Sequence, residues 1–222
     1  MIKEFEYQIK YKKRKTLSIS VELDGMVQVV APIGLPKGKI EEVLKSKESW
    51  ILKRIKEVES KEKLNVDEVM YLGQIYKVKV LVQRFSKVDF VVFHEGVFLV
   101  NVRDENNVIK ALESWFREMT EKTIKDKVQK YKHYFIERPK EIIIKEQKRR
   151  WGSCSYDNKL LFNWRLSMAT EDALEYVVVH EMCHMVHKNH STEYWREVER
   201  VLPNYKESHN WLKEKGYLLN LQ

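Results

Sequence analysis

Apolar residues alternate with polar ones at the start of the chain. Phe5, Tyr7, Ile9 and Tyr11 occupy alternate positions, as do Leu17, Ile19, Val21 and Leu23. A period of two marks half-buried strands, so residues 3–32 read as β structure. Asp24-Gly25 is a two-residue hairpin signal leading into Met26–Ala31. Pro32, Gly34 and Pro36 stop the pattern. From Lys37 to about Lys63 the period turns helical, with Ile40, Val43, Leu44, Trp50, Ile51, Ile55 and Val58 on one stripe. Such a stripe predicts one amphipathic helix whose role is packing.

Strand periodicity returns from Glu68 to about Val102, in two hairpins. One turns at Gly73-Gln74 and the other at His94-Glu95-Gly96. Asp104-Glu-Asn-Asn107 is a break, and a long helix is predicted from about Val108 to Phe135, with Leu112, Trp115, Phe116, Met119, Ile124 and Val128 on its apolar face. Arg138-Pro139 ends it, and Ile142–Ile144 is a short buried strand. Residues Arg149–Arg165 read as a hairpin about the turn-rich Tyr156-Asp157-Asn158-Lys159. Gly152 within its first strand implies a bulge or a close backbone approach. Strands followed by helices give an α+β class. Motifs that carry chemistry lie only beyond residue 104, so the boundary is expected there: a β-rich N-terminal region with one helix over 1–104, and a catalytic domain over 105–222.

Composition narrows the setting. The chain has 222 residues, 43% hydrophobic and 11% aromatic, enough to bury a core unaided and too apolar for a disordered chain. No run approaches the roughly 18 apolar residues of a membrane span, and the N-terminus lacks an apolar signal region. The expected setting is the cytoplasm, with no membrane partner. The two cysteines, Cys154 and Cys183, then read as free thiols. The net charge of +8 is mostly scattered lysine. Its dense part, Arg138 to Arg150, ends in Lys148-Arg149-Arg150 directly before the hairpin strand.

The chemistry concentrates in one segment. Thr170 followed by Glu171-Asp172 is an N-cap with acids in the first turn. The helix it opens is apolar nearly all round, so it belongs in the centre of its domain. It carries His180-Glu181-x-x-His184. Residues i and i+4 share a helix face, so the two imidazoles can converge on one ion. Glu181, rotated by about 100°, can flank that ion without ligating it. Burying such a cluster is costly unless it is paired or metallated. A third ligand is needed. His187 shares the face, but seven residues span about 10 Å of helix, too far from His180 for one tetrahedral ion. His190 is better placed, because Lys188-Asn189 reads as a helix end, with Asn189 able to take a left-handed cap, and Ser191 reads as the N-cap of a helix over Thr192–Leu202.

His180-Glu-x-x-His184-x5-His190-Ser191, with Arg150-Trp-Gly-Ser-Cys154 and Asn163-Trp-Arg-Leu166 before it, resembles the YgjP-like metallopeptidase family, related to the SprT and WLM zincins. The resemblance is sharp over residues 105–222 and looser before them. It implies a zincin-like domain with helices on a small mixed sheet and one Zn²⁺ held by His180, His184 and His190, with Glu181 catalytic. The expected reaction is peptide hydrolysis by zinc-activated water with Glu181 as general base. The 149–165 hairpin is the expected strand beside the metal helix. Arg150, Trp151, Ser153 and Arg165 are its substrate-binding candidates, and Arg150, Arg165 or Tyr205 a second oxyanion donor. The substrate is then a peptide or protein. The basic rim also admits an anionic ligand, a nucleotide or nucleic acid, so two alternatives stand: a metal-dependent nucleoside-triphosphate pyrophosphatase, and a nucleic-acid-associated domain with structural zinc.

Overall fold

A computed structural model describes residues 5–22 and 24–221. Two compact units divide between Lys63 and Leu64. In the first, strands β1 (Tyr7–Lys12), β2 (Ser18–Val21) and β3 (Val27–Pro32) form a sheet in the order β1-β3-β2. The alternation acts where it was expected. Val27, Val29 and Ala31 on the central strand are fully buried against Ile40, Leu44 and Ile51. β2 and β3 are antiparallel, as predicted, while β1 joins β3 in parallel. The hairpin loop is longer than two residues: Val21 pairs with Val27, and Asp24 Oδ1 accepts the Met26 N–H at 2.9 Å. Leu23 lies outside the described residues. The single helix expected over 37–63 is two, α1 (Lys37–Ser46) and α2 (Glu48–Glu59). The break has a local cause. The Ser46 hydroxyl donates to the Val43 carbonyl at 2.8 Å, and Lys47 leaves helical geometry at φ −109° and ψ 6°.

The second unit holds the rest. β4 (Glu68–Tyr71), β5 (Gln74–Val82), β6 (Phe90–His94) and β7 (Val97–Val102) form a sheet in the order β4-β5-β7-β6. Both predicted hairpins are present. Their turns, Leu72-Gly73 and Glu95-Gly96, have positive φ at both residues, the tight geometry that matches strand twist. Helix α3 (Val108–Tyr131) follows, ending before the predicted Phe135 in a 3-10 turn over Lys132–Tyr134. Strands β8 (Glu141–Lys145), β9 (Gly152–Cys154) and β10 (Lys159–Asn163) make a second mixed sheet ordered β8-β10-β9, so β9 is an edge. Three helices complete the unit: α4 (Glu171–Val186), α5 (Thr192–Val201) and α6 (Tyr205–Lys215). The α+β class is as expected. Among the described residues no helix is long and apolar enough to cross a membrane.

The expected boundary near residue 104 falls inside this unit, between β7 and α3. Phe98, Val100 and Val102 of β7 share one buried core with Leu112 and Phe116 of α3 and with α4. The β4–β5 turn is also tied to the start of α4. Leu72 N–H and Gly73 N–H donate to the carbonyls of Ser167 and Met168, each at 3.0 Å. A Cβ on Gly73 would lie 2.4 Å from Thr170 Cγ2, so only glycine allows that approach. The β4–β7 sheet therefore packs as part of the support for α4 rather than as a separate N-terminal region.

Candidate metal centre

Helix α4 starts as its sequence requires, with the Thr170 side chain accepting the Ala173 N–H at 3.2 Å. Its apolar surround is consumed by packing, and Val178, Val179, Met182 and Cys183 are fully buried. The helix ends at Val186, earlier than Lys188-Asn189, and Asn189 is not among the described residues with positive φ. The stop is instead at His187, which is extended at φ −112° and ψ 105°. From there the chain reverses into α5, whose N-cap is Ser191, accepting from Tyr194 N–H at 3.3 Å.

That reversal brings His190 back over the helix. Its Nε2 lies 3.1 Å from His184 Nε2 and 3.2 Å from His180 Nε2. Two nitrogens on one tetrahedral zinc, with Zn–N of about 2.0–2.1 Å, stand about 3.3 Å apart, so the three imidazoles fit a single ion. On both helix histidines the other ring nitrogen is also engaged. His184 Nδ1 donates to the His187 carbonyl at 2.9 Å, and His180 Nδ1 lies 3.3 Å from the Tyr176 hydroxyl. His184 Nε2 is thereby left with its lone pair toward the centre. His187 contributes only its carbonyl.

Electrostatics supports the same reading. Burial, then the neighbouring His184 and His190, lowers His180 to about 3. Burial also lowers His184. Both are neutral at pH 7, the form a metal requires. Helix α5 backs the site: Tyr194 stacks on His184 with centroids 4.5 Å apart and donates its hydroxyl to the His180 carbonyl at 3.1 Å. Trp195 stacks on His190 at 5.6 Å.

Glu181 sits beside this triad, only 4% exposed. Gly152 of β9 lies against it, and a Cβ there would be 2.6 Å from both Glu181 Cγ and Oε1. This is the close approach its place in a strand implied. Burial raises the Glu181 carboxyl to about 8, opposed by the charge of Arg150 and by a hydrogen bond from the Cys154 N–H. Oε2 is buried and has no hydrogen-bond partner among the described residues.

The sign of that shift gives a measurable consequence for the metal-free chain. The unfolded carboxyl ionises near 4.5 and the folded one near 8, so Glu181 costs stability progressively as pH rises through that window. Relative to metal-free Glu181→Gln, wild type should lose on the order of a few kcal/mol between those limits. Denaturant melts of both proteins across pH would read it, and a flat difference would show that the carboxyl is not raised.

The substrate candidates separate in space. A cavity of about 330 Å³ is lined by His180, Glu181, Tyr176, Gly152, Arg150 and His209. A larger one, about 550 Å³, is lined by Lys148, Arg149, Arg150, Trp151 and Arg165 among others. Arg150 and Trp151 line both. Arg165 belongs to the larger cavity, stacked 4.3 Å over Trp164 and donating to Glu146 at 2.6 Å. Ser153 pairs with Leu161 on β10, and strand alternation turns its side chain away from the face of Gly152 and Cys154. Tyr205 is buried between Tyr176 and Trp195, stacked at 6.0 and 5.5 Å. Arg138 is spent on chain carbonyls, including those of Phe135 and Ile136, rather than on the basic patch. Tyr176 and His209 were not foreseen. Tyr176, four residues before His180, was readable from helical spacing, whereas His209 arrives on α6 from outside every motif.

A family model described as "YgjP-like, metallopeptidase domain" matches residues 15–215. No curated protein matches the sequence. Among solved structures, the metallopeptidase zymogen of Pyrococcus abyssi abylysin is similar at 21% identity and a TM-score of 0.36, over 44% of this chain and 95% of that one. A likeness that distant carries none of the chemistry.

Proposed function

The chain belongs to the YgjP-like metallopeptidase family, and from that premise we propose that it is a zinc-dependent peptidase with one ion held by His180, His184 and His190. The observation that carries the reading is the convergence of three histidines, His190 Nε2 lying 3.1 and 3.2 Å from those of His184 and His180 and all ligand atoms within 4.8 Å, beside a buried carboxylate one helix position from His180. When bound, zinc would supply Lewis acidity to a water and to the scissile carbonyl. Glu181 takes the proton of the attacking water and returns it to the leaving amine. Its Oε2, buried beside the triad with no hydrogen-bond partner among the described residues, is the oxygen free to take that proton.

The edge strand supports a peptide substrate. Asn163 N–H donates to Trp151 O, and Ser155 N–H donates to Lys159 O. In an antiparallel pair such residues alternate with ones whose backbone groups point outward. Gly152 and Cys154 are therefore the outward residues, and the Cys154 N–H does reach Glu181. Gly152 keeps outward groups that can align an extended peptide by strand addition. The two unpaired cysteines suit the cytoplasmic setting expected from the sequence.

The structural-zinc alternative needs a fourth protein ligand, and among the described residues the cluster is the three histidines. The direct test incubates zinc-loaded protein with unstructured peptides and with nucleoside triphosphates side by side. Peptide cleavage lost in Glu181→Gln supports the proposal, and nucleotide hydrolysis alone would replace it. Gly152→Ala is a second probe. Its Cβ must displace Glu181, so thermal melts should show a loss of about 1–3 kcal/mol and peptide turnover should fall with it; unchanged turnover would detach Gly152 from the site.

A further inference from the structure

The larger cavity carries positive charge, of which only Arg150 also acts on the hydrolytic centre, through Glu181. Lys148, Arg149 and Arg150 line it, and no carboxylate among the described residues forms an ion pair with any of them. The carboxylate in the same wall, Glu146, is already engaged by Arg165 Nη1 and by Trp164 Nε1, each at 2.6 Å. Three cations around a concavity, two of them with no acidic partner among the described residues, concentrate positive potential there. The position is as telling as the charge. Trp151 and Arg150 line this cavity and also the one that holds His180 and Glu181. They immediately precede Gly152, the residue with outward backbone groups on the edge strand. Trp151 is held in place from behind, since a Cβ on Gly216 would come within 2.9 Å of its ring. An extended chain aligned on β9 and continued past its N-terminal end passes Trp151 and meets the cations.

We propose that this basic cavity selects peptide substrates by an acidic side chain lying a few residues to one side of the scissile bond. The inference rests on the peptidase reading and names the substrate class for it. An acidic peptide suits the cavity better than a polyphosphate. The Glu146 carboxylate shares the wall with the cations, and Trp151, Tyr217 and Leu212 add apolar surface that fits the stem of a side chain. A single carboxylate can sit among Lys148, Arg149 and Arg150 with its apolar stem against Trp151 and Leu212, surface that a run of phosphates would leave unused.

The test uses the zinc-loaded full chain and a degenerate peptide library read by mass spectrometry. Cleaved sequences should be enriched in Asp or Glu at one or two positions on one side of the cut. That enrichment should weaken between 50 mM and 500 mM salt as the charges are screened. The double variant Lys148→Glu/Arg149→Glu, remote in sequence from the triad, should lower kcat/KM on an acidic peptide by about tenfold or more. It should leave a neutral peptide within about twofold, a split that a general folding defect would not produce. Lys148→Ala/Arg149→Ala, with a thermal melt, guards against a misfolded reversal and should show the same split to a smaller degree. A wild-type library without acidic enrichment, or equal losses on both peptides, overturns the proposal.

A binding arm separates it from the parent reading. Fluorescence polarisation of a labelled acidic peptide on zinc-loaded Glu181→Gln should give affinity that the double reversal removes. Acid-selective binding without cleavage by wild type supports the cavity and sinks the peptidase reading. Neither binding nor cleavage sinks both. Displacement of the peptide by ATP at lower concentration than by unlabelled acidic peptide overturns the proposal in favour of a nucleotide.

Discussion

Zinc-loaded Glu181→Gln should keep its metal, its fold and its peptide affinity, and lose turnover by about 10²–10⁴-fold, the usual contribution of a positioned general base. Glutamine matches glutamate in shape, so it still fills the space that Gly152 leaves open and still offers an oxygen to the Cys154 N–H. What it lacks is the ability to take a proton. Among the described residues that line its cavity Glu181 is the one carboxylate, so none beside it stands ready to replace it. Single-turnover cleavage with metal content measured on the same sample would separate the effects. A variant with intact zinc and intact turnover would remove Glu181 from the mechanism. One that loses zinc would make it a structural prop instead.

The parts of this centre that could be read from the sequence are those fixed by local rules. His180 and His184 are related by one helical turn, and that geometry does not depend on the rest of the fold. His190 was proposed from the cap signal at Ser191, the rise that rules out His187 and a helix end at Lys188-Asn189, the last of which lies instead at Val186. Gly152 was marked because glycine in a strand interior needs a reason, and the reason is Glu181. What escaped depends on contacts between distant segments. Periodicity finds a helix but not its neighbours, so the stacking of Tyr194 on His184 and Trp195 on His190 was out of reach. His209 enters the cavity from α6, whose buried face is sparse in sequence, only Tyr205, Ser208 and Leu212. The boundary was misplaced for a similar reason. Hairpins over 68–102 look self-contained in sequence, and only the hydrogen bonds from Leu72 and Gly73 to residues 167–168 show that they hold α4. Parallel pairing of β8 with β10 has no local signature either, because the partners are separated by β9.

The sharpest test of the metal site contrasts two histidines three residues apart. His190→Ala should lower zinc affinity by more than about 100-fold, beyond the 10–100-fold cost of losing a group that only orients a ligand. His187→Ala should retain the metal, because the contact it makes is through its backbone carbonyl to His184 Nδ1, and alanine keeps that carbonyl. His190 stands where it does through the extended His187, the reversal and the Ser191 cap. Ser191→Ala should therefore weaken zinc binding by an intermediate amount, with a cap loss of about 1 kcal/mol felt in the melt. Competition with a chromophoric chelator ranks all three against wild type. Should His187→Ala lose zinc as completely as His190→Ala, the ligand set would be a different one, and the reversal after α4 would have another purpose.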